Sequence, residues 1–446
     1  MNPLSETSIL SEKTFLDAKK TRGKADLFAG VRDCSWADFS VLPMPNRRME
    51  EWRFASISGV SFDGFSLPGK LSEETAREID ARSRRFAGVA GKLVFADDHP
   101  VVAELAPELA AQGVILAPLK QLTPEQRLAV REYFFVSCGG ICSEKISTLH
   151  RAYADEGAYL FYVPAGVKID KPVAVFHWAV AGKTATFPYG IVIAEENANA
   201  AIVNFFLSAE KKPGKADKKV APETLTISRL EIFAKPGAQI ARKLIQDMAN
   251  TAHFYQQEWT HVHGNATVRG IALNLGAQRS RTTTELRLEG EAARADLFSL
   301  TVTDGEQEAD QRTVQRHVAP NASSNLLFKN VLLDRSRTIF GGSIVVAPDA
   351  QQTSAVQSNR NLILSPEAES HSLPGLEIDA NDVWCSHGAT NGTLDADQLF
   401  YLRQRGIPEA EARALLIQGF FEEVLSEIES AELADILREA LAEKAA

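Results

Sequence analysis

The sequence predicts a mainly β protein, its central strands stacked as a solenoid between a mixed helical N-terminal region and a helical tail. Three observations predict it. From about Tyr159 to Val383 helical periodicity disappears and short alternating runs replace it. Thr282, Thr284, Leu286 and Leu288 alternate with Thr283, Glu285, Arg287 and Glu289, and Phe298, Leu300 and Val302 alternate with Ser299, Thr301 and Thr303. Turn pairs punctuate the runs: Pro236-Gly237, Gly264-Asn265, Asp304-Gly305, Pro320-Asn321, Gly341-Gly342 and Pro348-Asp349. Finally, more than 200 residues of such strands with almost no helical crossover is long for one sandwich, whereas in a solenoid each rung buries its inward face on the next. A sandwich or barrel is the other arrangement the pattern allows. No exact short repeat is visible, so the rungs are expected to be irregular.

The elements divide at 1–150, 151–392 and 393–446. In the first division Ser72–Phe86 has strongly helical composition. Thr123-Pro124-Glu125-Gln126 is a helix start, with Thr as N-cap, Pro at the first helical position and Gln three residues after the cap. In the second, Ile191 and Ile193, then Leu225 and Ile227, continue the alternation, and Lys211–Lys219 reads as a solvated basic loop. In the third, Pro408 followed by Glu409 and Glu411 opens a helix with acids favoured by its dipole. Ala412, Leu415, Leu416, Phe420, Val424 and Ile428 then form one predicted apolar stripe, and Leu433, Ile436, Leu437 and Leu441 a second.

Composition narrows the function classes. The 446 residues are 45% hydrophobic and 24% charged, with a net charge of -10. That charge argues against a nucleic-acid coat, which needs a basic face. No run of about 18 apolar residues exists to span a membrane, and no secretory signal is visible. Cys34, Cys138, Cys142 and Cys385 are sparse and scattered, as in reduced cytoplasmic proteins. No Walker A, GxGxxG or GxSxG motif is present.

The most informative stretch is Leu376–Leu394, LEIDANDVWCSHGATNGTL. Cys385 and His387 lie two apart, so on a strand they share a face. Thiolate and imidazole both bind transition metals, but two ligands do not close a site. A buried thiol beside a hydrogen-bonded histidine fits the same spacing. His253, His261 and His263 fit a strand surface better than a metal centre. Cys138-Gly-Gly-Ile-Cys142 has the wrong spacing for a redox pair. Glu195-Glu196 and Asp304, Glu306, Glu308 and Asp310 read as solvated faces. Arg47, Arg48, Glu50, Glu51 and Arg53 read as a surface helix anchored by Trp52.

Three segments together carry a resemblance. Pro45-Asn-Arg-Arg-Met-Glu-Glu-Trp-Arg-Phe54, Tyr162-Val-Pro-Ala-Gly-Val-Lys-Ile-Asp-Lys-Pro172, and the C-terminal run containing Cys385-Ser-His-Gly-Ala-Thr390 and Gln398-Leu-Phe-Tyr-Leu-Arg-Gln-Arg-Gly-Ile407 resemble the SufB/SufD family of the SUF iron–sulfur cluster assembly system, and within it the SufD branch. The resemblance implies a right-handed parallel β-helix core flanked by helical regions. It implies a complex with SufB, through the β-helix ends, and with two copies of the ATPase SufC. SufC would dock on the helical region that includes Leu399, Tyr401, Arg403, Arg405 and Gly406. It maps a histidine implicated in nascent cluster formation onto His387, with Cys385 as a nearby candidate. The cluster or iron would be held transiently in the complex, with no tightly bound cofactor and no enzymatic activity of the chain itself. SufB carries a sulfur-accepting cysteine on an upstream strand; Ser358–Asn361 here has none. His371 lies near the same end.

An unpaired β-helix end also favours a homodimer of the free chain. Two other readings compete. One is a β-helix carbohydrate-active enzyme, a lyase or esterase. The other is a solenoid adaptor with no metal role.

Overall fold

The structure is a computed structural model, described here for residues 7–22, 26–55, 62–86, 88–137, 143–210, 221–427, 438 and 444. Lys211–Lys219, Cys138, Cys142, Ile428 and the expected second tail stripe lie outside the described residues.

Two ten-stranded sheets face each other, and from Tyr189 onward the chain alternates between them strand by strand. The first sheet runs from His99–Leu105 at one edge to Val383–Gly392 at the other. The second runs from Ile115–Pro118 to Glu369–Ile378. Nearly every pairing is parallel and in unbroken register, which makes the core a parallel solenoid. The stack begins upstream of residue 151: Gly91–Ala96 pairs in parallel with Val173–Ala179.

A repeat does exist, and it lies in the turns. Asn197, Gly237, Asn265, Ala292 and Asn321 each have positive φ. Each is followed by an alanine with no exposure: Ala198, Ala238, Ala266, Ala293 and Ala322. Asn tolerates the left-handed conformation and Gly adopts it freely. The small methyl lets successive turns stack, and the stack is hydrogen bonded: Asn197 N–H donates to Pro236 O at 3.0 Å, Gly237 N–H to Gly264 O at 2.9 Å, and Asn265 N–H to Glu291 O at 2.9 Å.

Both outer faces are covered, so several strands are buried throughout. The N-terminal region lays Phe15, Phe28, Phe39 and Trp52 on the second sheet, against Ile191, Ile193, Leu225 and Ile227. The Arg47–Arg53 segment is a single 3-10 turn, Glu50–Trp52, rather than the expected surface helix. Its Trp52 is 2% exposed under the Arg281 guanidinium, 3.9 Å from the ring centroid. Ser72 caps the helix Glu73–Ser83, and Thr123 and Gln126 form a capping box, as their sequence requires.

The helix Glu409–Leu425 covers the first sheet. It buries Ala412, Ile417, Phe421, Val424 and Leu425; the expected stripe is rotated, for Leu415 is 44% exposed. The reason is the partner surface. Phe298, Leu300 and Val302 point outward to this helix, while Ser299 and Thr301 point into the solenoid, where the Gln311 amide of the other sheet meets Thr301 Oγ1 at 2.8 Å. The interior thus has an apolar side, with Leu297, Leu326, Phe328 and Phe340, and a polar side of amides and hydroxyls.

Candidate functional site

The solenoid ends abruptly. Val383–Gly392 hydrogen bonds along one edge to Thr353–Ile363, and Glu369–Ile378 along one edge to Arg337–Val346. Their other edges have no partner strand among the described residues. Ser386 to Gly392 are all exposed, Trp384 is 63% exposed, and Leu373, Leu376 and Ile378 are exposed on the neighbouring strand. A ten-residue edge strand with free backbone donors and acceptors is a pairing template.

Register places the motif residues. Ala355, Gln357, Asn359 and Asn361 are buried and face the interior. Their partners are Cys385, His387, Ala389 and Asn391, which therefore share the inward face of the last rung. His387 is exposed on top of Gln357, whose amide donates to Gly342 O at 3.3 Å. A Cβ at Gly342 would lie 2.5 Å from that amide, so glycine is what lets Gln357 cross the interior. Cys385 is half-buried and packs on the cluster of Ile344, Val346, Ala350, Ala355 and Ala380. Burial pushes its thiol above the usual value, against a smaller opposing effect of the Ala355 backbone. The geometry makes His387 available to solvent, while burial disfavours the thiolate of Cys385.

An asparagine ladder, not anticipated from the sequence, reaches the same end. Asn330 Nδ2 donates to Asn361 Oδ1 at 2.7 Å, and Asn361 Nδ2 to Asn391 Oδ1 at 2.8 Å. Ser372 closes it from the other sheet by donating to Asn359 Oδ1 at 2.7 Å. The recurrence of Asn at aligned rung positions was the available signal. His371 does not share this face. It stands on the outside, stacked on Phe54 and 3.6 Å from Glu369. Phe54, Ser370, His371, Ala389 and Asn391 line a hollow of about 420 Å³ at the rim.

The C-terminal candidates lie on and after the helix Ala396–Gln404, capped by the Asp395 carboxylate on the N–H groups of Asp397 and Gln398. Leu399 is half-buried; Phe400 and Tyr401 are 59% and 55% exposed. Arg403 pairs with Glu409 at 3.4 Å, and Arg405 folds back on Tyr401, donating to its hydroxyl at 3.1 Å. Gly406, at φ +85, ends the helix: its N–H bonds Arg403 O and that of Ile407 bonds Leu402 O. Its part is to turn the chain and present the two helices.

The other candidates separate. Among the described residues no three His, Cys, Asp or Glu side chains converge on a metal position. His253 pairs with Glu223, 3.4 Å away. His261 is buried and contacts Ser137 Oγ at 2.8 Å and Glu289 at 3.1 Å. That Ser–His–Glu series has the order of a hydrolytic triad. Its chemistry is wrong for attack: Ser137 is 1% exposed and its N–H is bonded to the Glu231 carboxylate, so a negative group sits at the serine's own amide. Among the described residues no helix is long and apolar enough to cross a membrane.

With this geometry in hand, the comparisons agree across the chain. The model of the SUF system FeS cluster assembly SufBD core domain matches residues 177–420, and that of the SufBD protein N-terminal region matches 15–175. A SufBD-family iron–sulfur cluster assembly protein of Synechocystis is 28% identical over 434 residues, 94% of this chain and 89% of the relative. The iron–sulfur cluster assembly protein SufD of Bacillus subtilis is 27% identical over 396 residues, 87% of each. A SufBD-family protein of Mycobacterium tuberculosis is 31% identical over 220 residues, 48% of this chain and 55% of the relative.

Proposed function

The chain belongs to the SufBD family of the SUF iron–sulfur cluster assembly system, and from that premise we propose that it is a SufD-type scaffold subunit which lends His387 to a cluster site shared with SufB. The observation that carries this reading is the open last rung. It offers a ten-residue strand with one edge open among the described residues and, on its inward face, an exposed imidazole.

SufB would complete the rung by pairing along Val383–Gly392. A structural or catalytic metal site takes about four ligands, and this end offers one good one. Imidazole suits iron; the thiolates would come from SufB, since Cys385 is half-buried and burial raises its thiol. The iron–sulfur cluster is cargo, formed at the junction and passed on. SufC would dock on the exposed faces of the two C-terminal helices, around Leu399, Tyr401, Arg403 and Arg405, and its ATP cycle would work on the junction. The chain would have no turnover of its own, work in the cytoplasm, and self-associate through the same edge when SufB is absent.

The test is the mass of the assembly co-expressed with SufB and SufC, by size exclusion with light scattering, followed by His387→Ala. One SufB, two SufC and one copy of this chain is the expected species. His387→Ala should leave that species intact and abolish cluster assembly. A chain that elutes alone while SufB and SufC associate overturns the reading. Assembly unaffected by His387→Ala leaves a metal-free adaptor.

A further inference from the structure

The helix Glu409–Leu425 is held to the solenoid in two different ways. Ile417, Phe421, Val424 and Leu425 pack on Ile271, Leu300, Leu327 and Leu362. Such contacts are non-directional, so they resist lifting far more than sliding. The second link is directional. Lys329, whose side chain is 5% exposed, reaches out of the strand Ser323–Leu332 to the Glu423 carboxylate and donates to Phe420 O at 2.8 Å. Arg360, on the strand Thr353–Ile363, donates to the same carboxylate at 3.0 Å. Lys329, Arg360 and Thr390 are aligned partners on the last three strands of the first sheet. One carboxylate therefore fixes the helix to the two strands that precede the free edge.

We propose that Glu423 is a positioning residue that couples the C-terminal helices to the terminal strand Val383–Gly392, so that displacement of the helices by a docked ATPase is delivered to the rung that carries His387. The inference rests on the docking reading above. Charge-assisted hydrogen bonds set distance and direction; Glu423 supplies the side-chain tie to both strands nearest the free edge, beside the Lys329 bond to Phe420 O and the Arg269–Glu427 pair farther back on the sheet. The Glu423 carboxyl is held below the usual range, chiefly by the Lys329 hydrogen bond, so the link is charged at neutral pH.

The experiment compares the complex of this chain with SufB and SufC, wild type against Glu423→Gln, in amide hydrogen exchange of residues 383–392 with and without ATP. Glu423 is at the surface, so the variant should fold and give a complex of the same mass with unchanged ATP hydrolysis. The ATP-dependent change in exchange of 383–392 should be lost, and cluster assembly should fall with it. Lys329→Arg, which keeps the charge, should retain both. An unchanged ATP response in Glu423→Gln overturns the proposal, as does dissociation of its complex, which would make Glu423 a purely structural residue. A wild-type chain that forms no complex, or shows no ATP response at 383–392, overturns the docking reading itself and the inference with it.

Discussion

The ring of Phe54 stacks on the imidazole of His371, centroids 4.8 Å apart and planes 21° from parallel. This contact joins the N-terminal signature segment to the last strand of the second sheet, across hundreds of residues of sequence. It supports an edge that, among the described residues, has a neighbour strand on one side alone. An aromatic pair contributes about 0.5–1.5 kcal/mol beyond its buried area. Phe54→Ala should therefore speed amide exchange in residues 369–378 while leaving the global unfolding midpoint nearly unchanged. Exchange confined to its wild-type rate there would show that the edge holds itself.

Trp52, five residues after Arg47, has a heavier role. It is buried under Arg281, which also donates to Glu51 O at 2.9 Å and to Asp310 at 2.5 Å. Trp52→Ala removes a large side chain and the cation–π partner of a buried guanidinium, a loss of about 3–5 kcal/mol by analogy with core truncations. Trp52→Phe should recover part of it. Urea unfolding of the three proteins measures this directly; a loss below about 1 kcal/mol for the alanine variant would place Trp52 among ordinary surface anchors.

The core class was readable because alternation and turn pairs are local signals, and Cys385 and His387 share a face because residues two apart on a strand must. Other features were hidden by tertiary context. In Arg294–Thr303 the alternation is real, but its polar side faces inward, since the helix Glu409–Leu425 gives Phe298, Leu300 and Val302 a better apolar partner outside. The same choice rotated that helix away from Leu415. The turn repeat is faint in the sequence because only two positions are kept, a left-handed residue and a small one, as in Asn265-Ala266 and Asn321-Ala322. The Glu423 link could not be read at all: Lys329, Arg360 and Glu423 meet through the rung register.

Buried histidines set an acid limit. His177 lies inside the solenoid, stacked between Phe95 and Phe206 at 5.3 and 4.8 Å, and burial pulls its pKa down to about 3. A group whose folded value lies below its unfolded value of about 6.5 contributes stability that is present above 6.5 and lost as pH falls from there toward 3. His177→Phe keeps the stack and removes the proton site. Its melting temperature should fall less than that of the wild type between pH 7 and pH 5. Parallel curves would mean that His177 is not a source of the acid limb; His150, held near 3 by the same cause, would remain one.

Asp98 acts in the opposite direction. It occupies a left-handed turn at φ +64 and accepts the Phe187 N–H at 2.5 Å, while burial raises its carboxyl to about 7. Here the folded value lies above the unfolded one, so the native state holds the proton more tightly. Its contribution is favourable below about 4 and is lost as pH rises through 7. Asn tolerates the left-handed turn and can accept the same hydrogen bond. Asp98→Asn should match the wild type near pH 4 and melt at a higher temperature at pH 8. A constant difference across that range would show that Asp98 does not titrate on folding.

Cys385 and His387 occupy one face of one strand yet should behave oppositely. Burial against Ile344 and Ala355 raises the thiol, and a raised thiol is a slow nucleophile and a poor metal ligand at neutral pH. His387 has no such cover. In the assembled complex Cys385→Ser should retain cluster assembly within about twofold of the wild type, an effect below about 0.4 kcal/mol in barrier terms, whereas His387→Ala should abolish it. Alkylation of Cys385 by a maleimide in the free chain should accelerate steeply only as pH rises above neutrality. Loss of assembly in Cys385→Ser with a fast, pH-independent alkylation would instead make the thiolate the ligand. The packing of the last rung would then have to open before the cluster forms.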